Sequence, residues 1–383
     1  MRFEFATAAR VVFGPGCVSQ LAAIARELGG SRLLVITGRD AARSQSILDQ
    51  LTSAGFRSST FRTTGEPTLA LVRSGAEHAR GSDMVVAVGG GSVIDAGKAI
   101  AAMATNPGDP LDYLEIIGKG QPLEIAPLPF IAIPTTAGTG SEVTRNAVIG
   151  SPEHGVKASL RSAMMLAKAA LVDPDLTRDL PPALTASTGL DALTQLIEPY
   201  VTPRANPATD ALCLDGMRRA AVHLKRAYDD GSDAEARENM SLASLFGGFA
   251  LANAGLGVVH GFAAPIGGMF DAPHGAVCAA ILPHGMEMNI RALRERAPGH
   301  RSLSRYAEIA RIVTDDPDAT PEDGTRWVLR LCEHLAVKPL RTYGIATRHI
   351  PDLVEKAIHA SSMKANPVAL TAAELTRIIE QAL

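Results

Sequence analysis

Three short runs constrain this chain more than any other feature: RLLVITG (32–38), DMVVAVGG (83–90) and FIAIPTT (130–136). Each is almost unbroken Val, Ile, Leu or Ala and stops at Gly or Thr. A strand with one wet face alternates apolar and polar residues. A continuous apolar run suits a strand covered on both faces. VSQLAAIARELGG (18–30), before the first run, and RSQSILDQLTSAGF (43–56), after it, carry apolar residues at helical spacing and end at glycine. Strand and helix in alternation predict a parallel sheet flanked by helices.

The pattern changes near DLPPALTAST (179–188), after which strand signals nearly vanish. TDALCLDGMRRAAVHLKRAYDDG (209–231), TRWVLRLCEHLAV (325–337) and TAAELTRIIEQAL (371–383) are helical, and Thr371 with Glu374 forms a capping box. The expectation is an α/β domain over 1–180 and an all-helical domain over 181–383. A chain of 383 residues is long enough for two such cores.

Several classes fall away. A net charge of −3 gives no general reason to bind nucleic acid or anionic membrane. Ser241 to Phe270 carries no charge and exceeds the length of a spanning helix. It is nevertheless crowded with glycine, contains Asn253, His260 and Pro265, and lacks an aromatic belt or basic flank, so it reads as buried core helices. Cys17, Cys213, Cys278 and Cys332 show no C-x-x-C spacing and read as scattered thiols of a reducing compartment. MRFEFATAARVVFG has no apolar core of a signal peptide, so a cytoplasmic location is expected.

Two loops carry the chemistry of the first half. In VVAVGGGSVIDAGKAI (85–100) a buried strand runs through Gly89, Gly90, Gly91 and Ser92 into a helix. Glycines let the backbone approach a ligand, and the helix N-terminus offers free N–H groups to a pyrophosphate. The spacing matches neither standard nucleotide fingerprint, so a tight strand-to-helix turn is the alternative. AIPTTAGTGSEVT (132–144) is a second strand end, followed by Thr135, Thr136, Thr139 and Ser141. Hydroxyls there suit ribose and phosphate oxygens, although Ser/Thr loops also make purely local turns.

The second half raises a metal question. In DALTQLIEP (191–199), Asp191 and Gln195 lie one helical turn apart and face the same way. His260 and His274 are fourteen residues apart, and the glycines and proline between them imply a break that returns the chain. Asp191, His260 and His274 would supply one carboxylate and two imidazoles, a set that leaves a catalytic metal an open position. Histidines hydrogen-bonded into a core are the competing explanation, and spacing alone does not choose.

GGGSVIDAGKAI, IPTTAGTGSEVT, DALTQLIEP, GLGVVHGFAAPIGG and PHGAVCAAILPH resemble, in order, successive blocks of the iron-containing (group III) alcohol dehydrogenase family. The resemblance implies a Rossmann-like NAD(P)-binding domain, a helical domain of dehydroquinate synthase-like architecture, and a divalent metal, iron or zinc, in the cleft between them. It implies that Gly89, Gly90, Gly91 and Ser92 cradle the pyrophosphate with Asp95 nearby, while Thr135, Thr136, Thr139 and Lys157 make other cofactor contacts. Asp191, His260 and His274 match three of the family's four metal ligands. The implied reaction is hydride transfer between an alcohol and an aldehyde or ketone.

Two positions depart from the family pattern. The fourth ligand, usually His, is Gln195, and a histidine usually found four residues after His260 is Ala264. An amide oxygen is a poorer transition-metal ligand than imidazole. Either three ligands hold the metal, as in the related glycerol dehydrogenases, or the enzyme is a metal-independent carbonyl reductase similar to maleylacetate reductases. Cyclase or lyase chemistry on the same fold is a further alternative. The family's NAD-preferring members tend to have Asp after the first of the three strands. Gly38 and Arg39 stand there instead, which favours NADP over NAD. The helical domain leads us to expect a homodimer.

Overall fold

The computed structural model describes residues 2–40 and 42–383. It divides into two compact units, one of residues 6–136 and 140–179, the other of 180–383 with 137–139 and the chain start as far as Phe5.

The first unit contains β1 (Val11–Phe13), α1 (Leu21–Glu27), β2 (Arg32–Thr37), α2 (Ala42–Ser53), β3 (Arg57–Arg62), α3 (Leu69–His78), β4 (Met84–Gly89), α4 (Gly91–Met103), α5 (Pro110–Tyr113), β5 (Phe130–Pro134), β6 (Asn146–Ser151), β7 (Val156–Arg161) and β8 (Ala169–Val172). Six strands form one parallel sheet in the order β1-β8-β5-β4-β2-β3. Val35 lies beside Val86, and Val86 beside Ile131, so the three apolar runs form the centre of the sheet. Every residue of β4 and β5 is buried, as strands covered on both faces require. The edge strand β3 is the polar RSSTFR and mostly exposed. β6 and β7 make a separate antiparallel pair.

The chain passes from β2 outward to β3, then returns to place β4 on the other side of β2. That reversal opens a crevice outside the carboxyl ends of β2 and β4, where ligands of open α/β sheets bind.

The second unit is helical: α6 (Pro182–Val201), α7 (Pro207–Asp229), α8 (Ala234–Ala254), α9 (Val258–Met269), α10 (His274–Arg296), α11 (Arg301–Thr314), α12 (Pro321–His334), α13 (Ile350–His359) and α14 (Ala372–Ala382). Leu193 and Leu196 of α6, Met217 of α7, Phe262 and Ile266 of α9, and Ile281 of α10 share its core. The uncharged stretch 241–270 is the end of α8 and all of α9, bent by 97° at the break between them. Gly255 in this break has φ +80°, a left-handed conformation that favours glycine. Among the described residues no single helix is long and apolar enough to cross a membrane.

Candidate metal centre and nucleotide loops

Gly90 caps α4, and Gly89 pairs with Pro134 across the adjoining strand ends. A Cβ on Gly89 would lie 2.4 Å from Val93, so the turn into α4 is too tight for any side chain. Gly91 and Ser92 open the helix, where the first N–H groups have no partner within it. Thr135 and Thr136 follow β5 on the same edge, and Thr136 lies against Gly90. Gly38 and Arg39 follow β2, on the far side of the crevice from β5. The exposed Arg39 guanidinium donates to the Thr64 carbonyl at 3.2 Å.

Asp95, Lys157 and Thr139, also expected at the cofactor, make the following contacts. Both carboxylate oxygens of Asp95 are engaged inside the unit: Oδ1 accepts from Ser141 Oγ at 3.0 Å and Oδ2 from the Val148 amide at 3.0 Å. Lys98, only 1% exposed, sits 3.1 Å from Asp95 and donates to Thr144 Oγ1 and the Ser141 carbonyl at 2.9 Å. Asp95 therefore pins the Ser141 loop and β6 to α4. Lys157 lies on β7 and pairs with Glu66 at 3.1 Å. Thr139 belongs to the segment 137–139, which packs with the helical unit.

In the helical unit α6, α9 and α10 bring four ligand atoms together: those of Asp191, His260, His274 and Cys278 all lie within 4.8 Å of one another. Asp191 Oδ1 is 3.3 Å from His260 Nε2 and 3.7 Å from His274 Nε2. Cys278 Sγ is 3.9 Å from His260 Nε2 and 3.7 Å from His274 Nε2. Asp191, His260 and Cys278 are buried, while the His274 side chain is 35% exposed. His274 opens α10, and Cys278 stands one turn further on the same face. Gly275 permits this approach: a Cβ there would be 2.5 Å from the Ser187 carbonyl oxygen and 3.5 Å from Asp191 Cβ.

Glu198, seven residues after Asp191 on α6, holds His260 from behind. Its Oε2 lies 2.7 Å from His260 Nδ1, and its Oε1 accepts the Val259 amide at 2.7 Å. With Nδ1 carrying the proton, Nε2 presents its lone pair to Asp191 and Cys278, the arrangement of carboxylate–histidine–metal triads. Asn366 accepts the Val258 amide at 3.1 Å, completing the support for the start of α9.

The donor set fits a cation. Asp191 Oδ1 and Gln195 Oε1 are buried and have no hydrogen-bond partner. The 3.3 Å approach of His260 to Asp191 is thus a close contact without hydrogen-bond geometry. Among the described residues no lysine or arginine pairs with Asp191 or Glu198; the imidazoles of His260 and His274 lie against Asp191, and that of His260 against Glu198. Burial disfavours imidazolium, yet Cys278 and Asp191 outweigh it and push the basicity of both histidines up, His274 to about 9. Burial likewise opposes Asp191 ionisation, and His274 with His260 overrides it to hold the carboxyl below its ordinary range. The pocket thus favours positive charge at its centre.

By spacing Cys278 reads as a scattered thiol; in the structure it lies in the cluster. The signal was its i, i+4 spacing from His274, the same spacing that joins Asp191 to Gln195. Glu198 also went unnoticed, although i and i+7 share a helix face. Gln195 is on α6 beside Gly247, its oxygen 3.5 Å from where a Cβ there would be. Ala264 lies one turn after His260 on α9.

Residues 8–174 match the family description "Iron-containing alcohol dehydrogenase", and residues 185–383 match "Fe-containing alcohol dehydrogenase family, C-terminal". The chain is an oxidoreductase of the iron-containing alcohol dehydrogenase family, whose members use NAD(P) and a divalent metal. It is 35% identical to 1,3-propanediol dehydrogenase from Citrobacter freundii, over 97% of this chain and 96% of that one. The solved structure of a 1,3-propanediol oxidoreductase superposes with TM-score 0.91 and 33% identity, covering all of both chains. A sulfoacetaldehyde reductase from Bifidobacterium kashiwanohense, solved with NAD+, superposes with TM-score 0.86 and 28% identity over 99% of this chain and 98% of that one.

Proposed function

We propose that this alcohol dehydrogenase works with a divalent metal held by Asp191, His260 and His274, and with a nicotinamide cofactor held by the loops after β2, β4 and β5. The observation that carries the reading is the convergence of buried lone pairs on α6, α9 and α10, with Glu198 fixing which nitrogen of His260 faces inward. Bound there, the cation supplies Lewis-acid polarisation of the alcohol or carbonyl oxygen, and the nicotinamide supplies or accepts the hydride.

The chain's own residues do the positioning. Asp191, His260 and His274 hold the ion from three helices, and Glu198 keeps His260 in one tautomer. Gly89, Gly90, Gly91 and Ser92 bring free backbone N–H groups to the pyrophosphate at the start of α4. Thr135 and Thr136 offer hydroxyls on the neighbouring edge. Arg39, with Gly38 leaving room beside it, offers a guanidinium to a 2′-phosphate and supports NADP(H) as the preferred cofactor. In this reading residues 1–180 carry the cofactor and residues 181–383 the metal and substrate, in a cytoplasmic homodimer.

The test is metal content of protein purified without chelator, with turnover of short aldehydes and ketones under NADPH and NADH. We expect close to one metal per chain, loss of metal and turnover in His260→Ala, and faster turnover with NADPH. Full turnover in metal-free protein would instead make the chain a metal-independent carbonyl reductase. A preference for NADH would remove the role given to Arg39.

A further inference from the structure

We propose that Cys278 is a metal ligand, binding as a thiolate at the corner that Gln195 leaves without an imidazole, and that it turns the site toward zinc rather than iron. This rests on the metal reading above and adds to it the fourth donor and the choice of ion.

The donor spacing suits a tetrahedral ion. Zinc bonds of about 2.0–2.1 Å to nitrogen or oxygen and about 2.3 Å to sulfur require donor–donor edges of roughly 3.3 Å for N–O and 3.6 Å for N–S. The corresponding edges here are 3.3 and 3.7 Å from Asp191 to the two imidazoles, and 3.9 and 3.7 Å from Cys278 to the same nitrogens. These four edges lie within about 0.4 Å of those of a zinc shell. Asp191 Oδ1, buried and without a donor, marks the centre as a place for a cation.

A thiol merely hydrogen-bonded into the core is the competing account, and a proton count weighs against it. A thiol has one proton to offer, while Cys278 stands equally close to two imidazole nitrogens. His260 already gives its Nδ1 proton to Glu198, which turns an acceptor toward Cys278. The thiol proton reaches one of these acceptors at a time, whereas a cation at the centre meets all four donor atoms together. On binding, the thiol loses its proton to solvent as the sulfur–metal bond forms.

The donor type determines the ion. Thiolate favours zinc and cobalt over magnesium or manganese, and an Asp/His/His/Cys set is a softer site than one with three imidazoles. Four protein donors also mean that a substrate oxygen enters by expansion to five-coordination or by displacing one donor.

The experiment is cobalt(II) loading of metal-stripped full-length protein, followed by absorption spectroscopy, with zinc and iron(II) competing anaerobically. We expect stoichiometric cobalt with a near-ultraviolet sulfur-to-cobalt charge-transfer band, and zinc displacing iron. The band should vanish in Cys278→Ser while visible cobalt bands persist, with zinc affinity lowered by about 10–100-fold or more. Gln195→Ala should keep the band. Cobalt bound by the parent without that band overturns the Cys278 assignment and leaves the three-ligand site standing. Failure of the parent to bind cobalt or zinc overturns both. The decisive spectrum is that of the parent, so a misfolded variant does not remove the test.

Discussion

The two units each bury a cluster of charged side chains, and the clusters are built on opposite plans. Around Asp95 and Lys98, both carboxylate oxygens are engaged by Ser141, Val148 and Lys98, and the ammonium also donates to Thr144 and the Ser141 carbonyl. Around Asp191, ligand atoms of a carboxylate, two imidazoles and a thiol lie within 4.8 Å of one another, and one carboxylate oxygen has no hydrogen-bond donor. Burial alone therefore says little about function. The first cluster is complete as folded and fixes a loop. The second gathers donor atoms that a cation at its centre would satisfy.

The comparison breaks most sharply at Lys98. Lys98→Met leaves Asp95 buried and unpaired, which should lower stability by about 3–5 kcal/mol. Chemical denaturation would measure this, while metal per folded chain should stay at the parental value. Glu198→Gln tests the other cluster: one amide oxygen cannot serve both the Val259 amide and His260. Metal affinity should fall about 10–100-fold, read by competition with a chromophoric chelator. Gly275→Ala drives a Cβ against the Ser187 carbonyl, so α10 must shift away from Asp191. We expect a loss of about 1–3 kcal/mol by thermal unfolding, accompanied by weaker metal retention on dialysis.

The effect confined to a pH window concerns Glu142, beside Ser141. Burial raises its carboxyl from the ordinary 4.5 to about 7, and Lys98 offsets this only in part. The folded state then holds a proton that the unfolded chain has already released, so stability falls as pH rises from 4.5 to about 7. Glu142→Gln should flatten that slope in denaturation curves taken across this interval; an unchanged slope would assign it to another group.

The central strands were legible because burial on both faces leaves an unbroken apolar run in sequence: 32–38, 83–90 and 130–136 coincide with β2, β4 and β5. β3, β6 and β7 left little trace, since an edge strand such as RSSTFR and a two-stranded ribbon are only partly buried. The helix expected from Val18 begins at Leu21, because Gly16 at φ +72° first turns the chain into a short 3-10 segment. Asp191, His260 and His274 stood out as residue types with a break between the histidines. Their meeting depends on helix crossings that no local pattern encodes, such as the close contact at Gly275. Cys278 and Glu198 were visible as spacings, but their partners lie on other helices.

Glu198 grips α9 through both the Val259 amide and His260, outside the ring of donors. The imidazole is thus aimed by folding itself, before an ion arrives, and little ordering remains for the moment of capture. A socket built this way would take up or release an ion with little local rearrangement.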